Sequence, residues 1–193
     1  QEGTLTVTNR EAKYEITVKA NSATATYDGK EHEAVGVETY EFTVEGNSYT
    51  VSGLSTEDPK QKDAGSYTNN ITGTPVVTDK EGNVVTSEFE VKTENGSLEI
   101  GKAAVTLKSA TLSKKYDGNA LVNGDTALEV ESGFAEGEGA TYNFTGSQTV
   151  VGSSANAFSY ELNSNTNIDN YAISKQEGTL TVTNREAKYE ITV

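Results

Sequence analysis

Gln1–Val18 reads QEGTLTVTNREAKYEITV, and Gln176–Val193 reads the same letter for letter. The two copies start 175 residues apart, so the chain returns to the point of a cycle at which it began. Selection on a fold preserves the pattern of polar and apolar residues far better than it preserves letters. Eighteen identical residues, those at exposed positions included, therefore point to recent duplication or design, and to a segment of a tandem array. A period of that length is long for one repeat, and two units of about 80 to 90 residues fit it best.

Within the repeated stretch, Leu5 and Val7 alternate with Thr4, Thr6 and Thr8, and Tyr14, Ile16 and Val18 alternate with charged and hydroxyl residues. A period of two is the mark of a half-buried strand. Thr4–Thr8 is expected to be a closing strand whose domain precedes it, and the strand from Lys13 to Lys19 to open a new unit. The boundaries expected are 1-12 for the end of a preceding repeat and its linker, 13-101 for a first unit, 102-183 for a second, and 184-193 for the start of a following one. With no partner strand, Leu5, Val7, Tyr189, Ile191 and Val193 are expected to be disordered or paired with another molecule's sheet edge.

The interior follows the same rule. Ala23, Ala25 and Tyr27 share a face before Asp28-Gly29 turns the chain. Strands are expected over Val35–Val44, Tyr49–Leu54 and Tyr67–Ile71, then a strand, turn, strand sequence through Val76-Val77, Lys80–Asn83 and Val84-Val85. Phe89 and Val91 lead to Glu94-Asn95-Gly96 and a closing strand over Ser97–Ile100. The second unit repeats the plan: Val105, Leu107 and Ser109 open it, Leu128 and Val130 begin a middle strand, Tyr142, Phe144, Phe158 and Tyr160 supply later strands, and Gly178–Val182 closes it. No segment has helical periodicity.

Landmarks put the two units in register. Tyr27 and Tyr116 are 89 apart, Gly65 and Gly152 are 87 apart, and Gly96 and Gly178 are 82 apart. The first unit thus carries seven extra residues, expected mainly in the Thr74–Thr86 hairpin. The linker Gly101-Lys102-Ala103-Ala104 is short and has no flexible Gly/Ser tract, which predicts restricted joints. The fold class expected is all-β: two consecutive small, mostly antiparallel domains arranged end to end as a rod. Each is an Ig-like sandwich or β-grasp-like, the missing helix weighing against the second.

Composition narrows the chemistry. Hydrophobic residues make up 34% and there are two prolines, with Val, Ile, Thr and Tyr prominent, which is sheet composition. There is no cysteine, so disulfides, thiolate metal sites and cysteine nucleophiles are excluded together. The net charge of −14 is spread as −1 over residues 1 to 18, −8 over 19 to 102, −5 over 103 to 183 and 0 over 184 to 193. With no basic face, nucleic acid and anionic membranes are poor partners. Acidic surfaces would instead keep an array soluble and its units apart. An extracellular location is expected, with export and anchoring signals outside this stretch.

A recurring set of residues carries a resemblance. Gly3-Thr4-Leu5-Thr6-Val7, Gly96-Ser97-Leu98-Glu99-Ile100 and Gly178-Thr179-Leu180-Thr181-Val182 share one pattern, and Tyr27-Asp28-Gly29 and Tyr116-Asp117-Gly118 share another. In this order they resemble the YDG and MBG repeats, mainly-β modules strung in tandem through bacterial surface adhesins. Ala64-Gly65-Ser66-Tyr67 is similar to that family's central V-G-x-Y segment, whereas Val151-Gly152-Ser153-Ser154 lacks the tyrosine. The resemblance implies a stalk spacing a distal binding domain from the cell surface, with neighbouring repeats of the same chain as partners and no catalytic residues. For the Tyr-Asp-Gly triplets the structural expectation is an Asp-capped turn, a glycine at positive φ and a tyrosine ring on the edge of the core.

Other constellations are weaker. His32, the single histidine, sits between Glu31 and Glu33 with no second histidine to complete a zinc pair. Glu57-Asp58 and Glu136-Gly137-Glu138 are expected to be solvated acidic loops, and no calcium-loop, Walker or nucleophile-elbow motif occurs. An isopeptide bond would need an early-strand lysine beside a late asparagine: Lys19 with Asn95, or Lys108 with Asn167 or Asn170. A monomeric structural spacer without cofactor or metal is the first reading. A module binding a host glycan or protein through exposed Tyr40, Tyr49, Tyr142 and Tyr160 is the alternative, and an enzyme built on clustered carboxylates the third.

Overall fold

The computed structural model describes residues 3–6, 8, 12–125, 127–187 and 189–191. The chain is all-β, and it divides into two compact units. The first comprises residues 1–25 and 30–101; the second comprises 26–29 and 102–193, so the Tyr27 triplet belongs to the second.

The first unit holds β1 (Tyr14–Lys19), most of β2 (Ala23–Thr26), β3 (His32–Glu33), β4 (Glu41–Val44), β5 (Asn47–Thr56), β6 (Lys60–Gln61), β7 (Gly65–Asn69), β8 (Ile71–Asp79), β9 (Phe89–Glu94) and β10 (Gly96–Gly101). The second holds β11 (Ala103–Lys108), β12 (Leu112–Lys115), β13 (Leu121–Val122), β14 (Val130–Ser132), β15 (Ala140–Phe144), β16 (Ser147–Gln148), β17 (Gly152–Asn156), β18 (Phe158–Leu162), β19 (Tyr171–Gln176) and β20 (Gly178–Thr183). A 3₁₀ turn precedes the ninth strand of each unit, at Thr86–Glu88 and Ile168–Asn170.

The two units share one pairing scheme. The opening strand runs parallel to the ninth, with Ile16 opposite Val91 in β1–β9 and Val105 opposite Ile173 in β11–β19. The last strand lies between the second and the seventh, as β2-β10-β7 and β12-β20-β17. The third strand pairs with the sixth, and the fifth with the eighth, in both. Pairing is mostly antiparallel, and the β1–β9, β11–β19 and β12–β20 ladders are parallel. The fourth strands differ: β4 is joined to β5 by a two-residue turn, whereas β14 pairs with β11.

The alternation read from the sequence is the burial pattern observed. In β10, Leu98 and Ile100 are buried and Glu99 is exposed; in β20, Leu180 and Val182 are buried. Leu98, Leu107 and Leu180 have no accessible surface, each contributing about 2 to 3 kcal/mol through apolar burial. Ile16, Val18, Val51, Val77 and Phe89 form the centre of the first unit, with Tyr40, Tyr49 and Phe42 packed against them.

Several expected strands are shorter than read. Val35–Tyr40 is outside the ladders except for a single bridge from Val37 to Ala20, and Leu128 precedes β14. The Asn21 amide holds the Val35 and Val37 carbonyls instead, at 2.7 and 3.2 Å. Val84-Val85 returns on β8 through one bridge, Thr78 to Val84, because Asp79 collects the amides of Glu81 and Asn83 and turns the chain tightly there. β8 has nine residues and β18 five, so most of the first unit's surplus falls in and after this strand.

At the ends, Leu5 is fully exposed, Tyr189 and Ile191 are exposed, and none of the three is in a strand. Val7, Val193 and Asn9-Arg10-Glu11 lie outside the described residues.

Candidate functional site

The signature residues mark two kinds of site, and the first is the glycine that opens each closing strand. Gly96 and Gly178 are buried, and a β-carbon there would lie 2.2 Å from the carbonyl oxygens of Asn21 and Ala110. The chain between the first two strands passes directly over this point, so any side chain is excluded sterically. Opposite each glycine in the antiparallel register stands a fully buried asparagine, Asn69 facing Gly96 and Asn156 facing Gly178. Asn69 donates to the Asn21 carbonyl at 3.2 Å and accepts from the Asp58 amide at 3.0 Å; Asn156 donates to the Ala110 carbonyl at 2.9 Å and to Asn123 Oδ1 at 2.7 Å. Each asparagine thus satisfies a carbonyl freed where the first strand ends and the second begins, that of Asn21 or of Ala110.

The Tyr-Asp-Gly residues sit differently in their two occurrences. Tyr27 is 4% exposed, and its hydroxyl donates to Glu138 Oε1 at 2.6 Å. Tyr171, equally buried, donates to Glu138 Oε2 at 2.7 Å and accepts from the Ala135 amide at 3.0 Å. The Tyr27 and Tyr171 rings meet edge to face at 5.3 Å, and Phe134 stands 5.1 Å from Tyr171 on a similar tilt. Burial first, and then the Glu138 bond, pushes the Tyr27 phenol well above its ordinary range, and burial likewise raises Tyr171. Gly29 follows at φ 80, with Ala135 against the place of a β-carbon. Both phenols donate to one carboxylate, so the cluster holds chain segments in place.

Tyr116 is half-buried. Asp117 accepts from the Asn119 amide at 2.9 Å and from Lys114 Nζ at 2.8 Å, and Gly118 has φ 86. The Lys114 ammonium, then the Asn119 amide, holds the Asp117 carboxyl below its usual range.

The acidic loops are not simply solvated. Glu138 is the acceptor of the tyrosine cluster, and Asp58 accepts from the Gly36 amide at 2.8 Å and the Thr56 hydroxyl at 2.6 Å, bonds that lower its pKa in that order. His32 lies opposite Gln61, and Lys60 reaches Glu31 and Glu33 on either side of it. Among the described residues no group of three or more His, Cys, Asp or Glu is arranged to hold a metal ion. Lys19 is ion-paired with Glu94 at 2.7 Å and Lys108 with Glu129 at 3.0 Å, both substantially exposed. Amide condensation needs a desolvated amine, and neither lysine provides one. Asn95 bonds Asn70 and the Ile71 amide instead.

Tyr40, Tyr49, Tyr142 and Tyr160 are all half-buried, not exposed. Tyr40 and Tyr49 pack on the first core, and Tyr142 faces Tyr160 across β15–β18 with its ring tilted against Phe158. Burial raises the Tyr142 phenol. Sequence reasoning missed Asn69, Asn156 and Glu138. The asparagines carried a usable signal, since they are 87 apart, the offset of Gly65 and Gly152. Glu138 had none, being one carboxylate among 29.

No family model matches the chain, and neither curated proteins nor solved structures yield a match.

Proposed function

We propose that this chain is a stalk segment of a bacterial cell-surface adhesin: an extracellular, monomeric spacer whose two β units stand end to end as a rod and carry a distal binding domain away from the cell. The observation that carries the reading is that the signature residues serve internal contacts. Gly96 and Gly178 admit a crossing backbone, Asn69 and Asn156 tie it down, and Tyr27 is buried against Glu138. A module whose closing-strand glycines and facing asparagines hold its own strands together is suited to repetition, and the eighteen-residue identity of the two ends supports that reading. An acidic surface on both units adds repulsion between copies, which favours extension over clumping.

Small-angle scattering on a chain of two full periods tests the proposal. The expected longest dimension is nearly twice that of one period, with a rod-like profile. A compact particle, or a broad distribution of dimensions, sinks the stalk.

A further inference from the structure

The two Tyr-Asp-Gly tyrosines occupy equivalent positions 89 residues apart but not equivalent surroundings. Tyr27 is buried among Tyr171, Glu138 and the Ala135 segment, whereas Tyr116 is half-buried. Tyr116 lines an open cleft with Val151, Asn184, Arg185, Ala187 and Tyr189. Val151 is 49% exposed and the adjoining Val150 66%, so the cleft continues into apolar surface left open by the described residues.

The tail side of that cleft is made of residues that recur at the opening of the chain. Ala187 and Tyr189 stand in the repeated stretch where Ala12 and Tyr14 stand in the first copy. In the first unit Tyr14 is the first residue of β1, its ring 5.6 Å from Phe89 and its hydroxyl on Glu45 at 2.6 Å. Phe89 begins β9 as Tyr171 begins β19, and Tyr171 is the ring against which Tyr27 packs. Tyr189 in this chain is 56% exposed, under the guanidinium of Arg185 at 3.8 Å.

From these relations we propose that Tyr116 and Val151 form the seat of a following repeat, and that its occupant is a second copy of the first unit, entering through Tyr189 as the first residue of its opening strand. The proposal rests on the tandem-array reading. Tyr189 brings the copy's own Phe89 ring to the cleft, and Tyr116 is then closed off by an aromatic neighbour as Tyr27 is by Tyr171.

The test is tyrosine nitration with tetranitromethane, read by peptide mass, on the 193-residue chain and on a longer chain in which residues 19–101 follow Val193. Tyr14→Phe in both distinguishes the Tyr189 peptide from its first copy. In the longer chain the nitration rate of Tyr116 is expected to fall at least tenfold, with Tyr189 protected as well. Tyr189 protection reports that the appended copy has formed its opening strand; protection there with Tyr116 as reactive as before overturns the proposal. As a second measurement, Tyr116→Ala is expected to lower the melting temperature of the longer chain by several degrees and that of the 193-residue chain by much less. Equal shifts in the two chains also overturn it. Scattering on the same longer chain separates this inference from the stalk: an extended particle with a reactive Tyr116 leaves the stalk without this seat, and a compact one with a protected Tyr116 leaves the seat without the stalk.

Discussion

Glycine at position 178 illustrates how a single residue can be fixed by backbone alone. Its missing side chain is what lets the Ser109-Ala110 turn cross the sheet, with the Ala110 oxygen 2.2 Å from where a β-carbon would be. Gly178→Ala should therefore cost about 3 kcal/mol, the range of a severe core clash, read as a lower urea midpoint for the second unit. Gly124→Ala, at a glycine with nothing within 4 Å, is the control and should change stability by less than about 0.5 kcal/mol. The tyrosine cluster makes a prediction with a pH sign. Because Tyr27 and Tyr171 are held neutral in the fold, the unfolded chain loses phenol protons near pH 10 while the native chain keeps them. Stability contributed by these groups is complete below that pH and declines as pH rises through and beyond it. Tyr27→Phe should lower stability near neutral pH by about 1.5 to 3 kcal/mol, through loss of a bond to a charged acceptor, and should flatten the alkaline decline measured by thermal melts from pH 8 to 11. An unchanged alkaline slope would show that the phenol is not held neutral by this site.

At the scale of elements, much of the scheme was legible. Strand existence followed from alternation, as in Leu98 and Ile100 or Leu180 and Val182, because a residue's face in a sheet is set by the parity of its position. Partner choice was not legible, because parity does not say which strand lies alongside. The parallel pairing of β1 with β9 joins residues 75 positions apart, and no turn signal marks it. The Tyr-Asp-Gly and closing-strand glycines were visible as motifs, but the asparagine that faces each glycine was hidden by its polar character, which ordinarily places asparagine in a turn. That device also yields a prediction. Asn69→Ala leaves the Asp58 amide and the Asn21 carbonyl without their partner at the crossing of β2, β7 and β10. A loss of about 2 to 4 kcal/mol in the first unit is expected, measured by urea unfolding, and Asn69→Asp should not restore it, because a carboxylate cannot donate to the Asn21 carbonyl. Recovery by aspartate would show that the accepting bond alone matters.

For the whole molecule, a tandem array built on the 175-residue spacing of the two identical stretches would need only one copy of the stretch per period. Leu5 is fully exposed and the described part of residues 3–8 makes no strand, while Glu186 pairs with Lys115 and Arg185 bonds the Ala187 carbonyl. Residues 13–187, one full period, are therefore expected to melt within about a degree of the complete chain, since truncation tolerance follows the burial and bonding of the backbone removed. The same truncation also discriminates between two fates for the apolar alternation at the ends. If Leu5 and Ile191 pair with the sheet edge of another molecule, the complete chain should associate as its concentration rises and the 13–187 chain should not, which sedimentation would resolve. If a net charge of −14 keeps copies apart, both chains should remain monomeric at low salt, and added salt should weaken the repulsion between them without producing a specific dimer. The second outcome is the expected one: among the described residues the strands of both units lie between Tyr14 and Thr183, so an end strand gains only what an edge offers, against electrostatic repulsion that acts on the entire surface.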